Sequence, residues 1–146
     1  MNSSRIALYA AVAATVLWTA KAIAIGSAGG LDKSPFEGPL FFAGLLCFVV
    51  AVLALGVALT RGRPTWLRVL ASLVGFAIAF QLSMLLDGFV DSTIGGTEAT
   101  RHWAWAEVSL WISALVVLGV AVAHDRRGRT ADPAGADRDL MPVRGA

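Results

Sequence analysis

Four apolar runs, at about residues 6–25, 39–60, 67–90 and 103–123, constrain this chain more than any other feature. A helix needs about 20 apolar residues to cross the roughly 30 Å hydrocarbon core of a bilayer. Each run is long enough, and only Lys21, Arg68, Asp87 and Glu107 place charge inside one. Composition agrees, with 57% hydrophobic and 15% charged residues, where a soluble domain carries about 45–50% and about 25%. The expectation is an all-α integral membrane four-helix bundle over residues 1–123. After His124 the chain turns to Arg, Asp, Gly and Pro, so residues 124–146 read as a disordered cytoplasmic tail.

The first run resembles a signal peptide in outline, with Arg5 ahead of it and Ala22-Ile23-Ala24 as a mock cleavage site. Its length and Lys21 argue instead for a retained helix. Between the first two runs, Ser34-Pro35-Phe36-Glu37 reads as a capping box with proline at the first helical position. The next connector, Arg61-Gly62-Arg63-Pro64-Thr65, is short and basic, and the third contains Gly95-Gly96.

Arginine and lysine set the orientation. With both termini cytoplasmic, the inner side holds Arg5, Arg61, Arg63, Arg68, Arg126, Arg127 and Arg129, against Lys33 and Arg101 outside. Trp66 falls at the inner boundary and Trp18, Trp103 and Trp105 toward the outer one, as interfacial aromatics do. Asp32, Glu37, Asp87, Asp91, Glu98 and Glu107 form an acidic outer rim. Ten arginines to two lysines, with much Ala, Gly and Val, suggest a GC-rich bacterial source, hence a plasma (inner) membrane location.

The halves share a plan of helix, outer loop, helix and arginine cluster. Glu37-Gly38-Pro39-Leu40-Phe41-Phe42 aligns with Glu107-Val108-Ser109-Leu110-Trp111-Ile112, and Arg61-Gly62-Arg63 with Arg127-Gly128-Arg129. Two parallel-related hairpins are one way to read this.

Polar residues within spans are the candidates for function. Lys21 lies four residues from the outer end of its run and either snorkels to the headgroups or pairs with Glu107 or Asp87 at similar depth. Gln81 needs hydrogen-bond partners, within the bundle or on another subunit. Lys21, Gln81, Asp87 and Glu107 are thus a candidate intramembrane polar cluster. Gly75, Ala79, Ser83 and Asp87 recur every four residues, as do Ala43, Cys47 and Ala51, and Ser109 and Ser113. Such rows of small residues mark close helix packing in lipid. His102 with Glu98 is a weak metal pair, and Cys47 reads as a small core residue.

No P-loop, dinucleotide fingerprint, HExxH, GxSxG or CxxC is present. No catalytic residue, metal site or cofactor is therefore expected. An outer-leaflet enzyme using Glu107 or Asp87 as acid or base would lack a nucleophile. Positive-inside topology already explains the arginines, so nucleic acid is not an expected partner. Anionic lipid headgroups are compatible with the same residues. The reading is a small non-catalytic interaction or accessory protein whose partners are the lipid bilayer and its own copies or a larger complex. The alternative is a small transporter or outer-leaflet binding protein using the polar cluster. The inner halves of the runs offer no polar route across.

Overall fold

A computed structural model describes residues 3–94 and 103–130. They form α1 (Ser3–Ala28), α2 (Glu37–Leu59), α3 (Thr65–Ile94) and α4 (Trp103–Thr130), with no strand among them. All four helices are long and apolar enough to cross a membrane. Each extends past its apolar run at one or both ends. α1 begins three residues earlier and ends three later, and α4 continues to Thr130, through residues expected to begin the tail. Hydropathy ends at the first charges, but Arg, Glu and Lys are good helix formers, so the backbone carries on through them.

The ends are set by local chemistry. α1 stops in a Schellman motif: Gly30 N–H donates to Ile25 O at 3.1 Å and Gly29 N–H to Gly26 O at 3.3 Å. Gly29 sits at φ 82°, a left-handed conformation that glycine adopts without steric cost. The expected capping box does not form. The Ser34 hydroxyl accepts from Phe36 N–H rather than from Glu37 N–H, and the Glu37 carboxylate accepts from Asp32 N–H at 2.9 Å. Asp32, at φ 59°, turns the loop back over the start of α2 and puts its own N–H within reach. Pro35 lies outside α2.

Consecutive helices run antiparallel. Ala7 lies beside Leu55 and Ala121 in one core cluster, and Trp18 beside Phe48 in the other. α1 packs on α2 and α4, α3 packs on the same two, α2 touches α4 across the centre, and α1 and α3 do not pack on each other. The core belongs mainly to α1, α2 and α4. Ala7, Ala11, Ala14, Trp18, Ala22 and Ile25 form the buried stripe of α1, facing Phe48, Ala51, Val52 and Leu55 of α2 and Ala114, Val117 and Ala121 of α4. Alanine lets these backbones approach closely where lipid gives apolar burial little drive. α3 is the least covered helix, with only Ser72 and Val90 buried among its described residues. Its row of small residues still faces inward. Gly75 lies next to Val52, Ala79 joins the core, and the Ser83 hydroxyl meets that of Ser113 at 2.8 Å.

Candidate functional site

Lys21 falls on the buried stripe of α1, three residues after Trp18, which points its ammonium between α2 and α4. There Nζ donates to Glu107 Oε1 at 2.6 Å, and the two side chains are 8% and 1% exposed. Phe41 of α2 covers the ammonium at 5.3 Å from its ring centroid, a favourable cation–π arrangement. Trp18 fixes that wall: its indole N–H donates to Phe41 O at 3.4 Å and its ring packs on Phe48 at 5.4 Å. Lys21 therefore does not snorkel. Its charge is neutralised inside the bundle by a residue 86 positions away.

The other two candidates are elsewhere. Glu107 and Ser109 are two residues apart, about 200° around the helix, so α4 presents them on different faces. Ser109 faces α3, where its hydroxyl donates to Asp87 Oδ1 at 3.4 Å. Asp87 is largely exposed and belongs to a helix that does not pack on α1. Gln81 is exposed on α3 and has no hydrogen bond among the described residues. The four residues thus do not form one cluster. They form an α1–α4 ion pair, a separate α3–α4 contact and a solitary amide.

Two polar atoms are buried without a partner among the described residues: Glu107 Oε2 and Trp111 Nε1. One is an acceptor and the other a donor, one turn apart on α4. Beside the ion pair opens a cleft of about 340 Å³ lined by Lys21, Asp32, Ser34, Glu37, Gly38 and Phe41. The parts played by Trp18, Phe41 and Trp111 are not read from the sequence, where Trp18 is expected at the outer interface and Phe41 and Trp111 enter only in the comparison of the two halves.

Among the described residues no group of three His, Cys, Asp or Glu is placed to hold a metal ion. Glu98 and His102 lie outside the described residues. Cys47 is half-buried against the core. The chain matches no known family model, curated protein or solved structure.

Proposed function

We propose that this chain is a non-catalytic membrane protein that acts by lateral assembly, with α3 as its docking helix and a second copy as its partner. Gln81 carries the reading. It sits near the middle of α3, where hydrocarbon offers its amide no hydrogen bond, and it has none among the described residues. Around it, Val74, Ile78, Gln81, Leu85 and Gly88 recur at alternating spacings of four and three, and all are exposed. That spacing is the seam of a left-handed helix pair, in which one polar residue fixes register. A carboxamide carries donor and acceptor together and so is its own complement. The remaining elements of the proposal are a bacterial plasma membrane, in keeping with the arginine-rich composition, and cytoplasmic termini, supported by seven basic side chains on that side of the spans against two on the other. Reporter fusions at each terminus test that orientation, and an external C-terminus rules it out.

Replacing Gln81 with leucine should weaken self-association by about 1 kcal/mol, roughly fivefold in dissociation constant. Energy transfer between labelled copies in liposomes, followed as lipid is added, measures it. An unchanged dilution curve, or a monomeric parent, removes the homo-oligomer. Co-purification of a different membrane protein that depends on Gln81 would replace the second copy by an accessory role.

A second reading has its own observation. The cleft over Lys21, with Asp32, Glu37 and Phe41 on its walls, suits a cationic or zwitterionic small molecule. Glu107, the partner of Lys21, keeps Oε2 buried without a hydrogen bond among the described residues. Native mass spectrometry of gently extracted protein should then show a small adduct that Lys21→Ala removes. An adduct-free spectrum speaks against a pocket.

A further inference from the structure

Because α1 and α3 do not pack on each other, a lateral groove remains between them at the arginine-rich end, floored by α2. It has a volume of about 660 Å³, and Leu53, Ala54, Val69 and Leu73 give it an apolar lining. On α2 it runs from Val57 to Val50, about 10 Å of helix rise into the apolar layer. At its mouth lies a second recess of about 240 Å³, and this one is polar. Ser3, Ser4, Arg61, Arg68 and His124 line it, so all four helices or their connectors contribute to it. The two recesses share Ser3, Val57 and Arg68, so they adjoin as the polar and apolar parts of one amphipathic site.

We infer that this site binds one anionic phospholipid, its phosphate in the polar recess and an acyl chain in the groove. The charge is complementary: among the described residues neither recess is lined by any Asp or Glu, while Arg61 and Arg68 both line the polar one. Arg68 is held there by its own Nε, which donates to Arg63 O at 3.0 Å. A planar guanidinium matches phosphate with two parallel hydrogen bonds, and the first turn of α1 adds the positive end of a helix dipole. The polar recess alone suits any phosphate. The apolar groove adjoining it selects a phosphate that carries an alkyl chain. This inference is independent of the Lys21–Glu107 pair and of the α3 seam, which use other residues.

The test uses the full chain in a non-ionic micelle, titrated with phosphatidylglycerol, phosphatidylcholine, glycerol phosphate or inorganic phosphate and followed by native mass spectrometry. One phosphatidylglycerol should be retained about tenfold more tightly than phosphatidylcholine, and Arg61→Ala should remove most of that preference. Arg61→Lys should keep part of it, since charge persists without the planar fork. Val69→Trp, which fills the groove without touching charge, should weaken phosphatidylglycerol by a similar factor. Equal retention of both lipids overturns the proposal, as does unchanged selectivity in Arg61→Ala. Displacement of the lipid by glycerol phosphate or inorganic phosphate at equal concentration would instead show a soluble-anion site and equally overturn it.

Discussion

Glu107→Ala should destabilise the bundle by about 3–5 kcal/mol, the range for removing one partner of a buried ion pair. The ammonium of Lys21 would keep its place between α2 and α4 with only the face of Phe41 against it. Lys21→Met should cost a similar amount, because it strands a carboxylate that is 1% exposed. The double variant Lys21→Met/Glu107→Leu, which removes both charges, should recover most of the loss, since a buried pair gives little net stability over apolar residues of similar size. Exchanging the charges, Lys21→Glu with Glu107→Lys, should also restore folding lost in either single change. Unfolding of the purified protein by a denaturing detergent, followed by circular dichroism, provides each of these stabilities. If the double apolar variant were as weak as the singles, the pair would not be the reason for their loss.

The next largest effect is expected at Gly56. A Cβ added there would lie 2.6 Å from Ser72 Cα and 3.0 Å from Ser72 N, both backbone atoms that cannot rotate away. Gly56→Ala must therefore push α3 off α2. It also disturbs the Ser72 hydroxyl, which shares its proton between Leu53 O at 3.1 Å and Arg68 O at 2.8 Å. Overpacking of this kind costs about 1–3 kcal/mol, and the backbone contact places it at the upper end. Gly119→Ala is the control, since a Cβ there meets nothing within 4 Å. It should be neutral or stabilising by about 0.5–1 kcal/mol through helix propensity. The same detergent titration distinguishes the two; equal effects at both positions would show that no backbone contact between α2 and α3 limits the side chain at position 56.

The helices were legible because twenty-residue apolar runs have few alternatives, and their ends were not, because hydropathy records charge while the backbone follows propensity and glycine. Depth along each run brought Lys21 and Glu107 to a common level. What depth could not supply was rotation. Gln81 and Ser83 are two residues apart, about 200° around α3, so if Ser83 faces inward Gln81 must face out, and grouping Gln81 with Asp87 as polar residues of one span joined opposite faces. Asp87 does continue the inward row from Ser83, yet its neighbour is Ser109 because α3 and α1 occupy opposite corners, a matter of helix order in space that no single span records. The capping box failed for a similar reason. Its residues are correct, but the loop geometry at Asp32 offered Glu37 a closer donor.

The 86-residue separation of lysine and glutamate has a consequence for biosynthesis. Ribosomes add about 5–20 residues each second, so the first helix waits on the order of ten seconds for the counter-charge carried by the last. Throughout that interval the nascent chain holds a solitary cation among apolar helices. A product truncated before α4 would hold it indefinitely, and its unpaired ammonium would distinguish it from the finished protein.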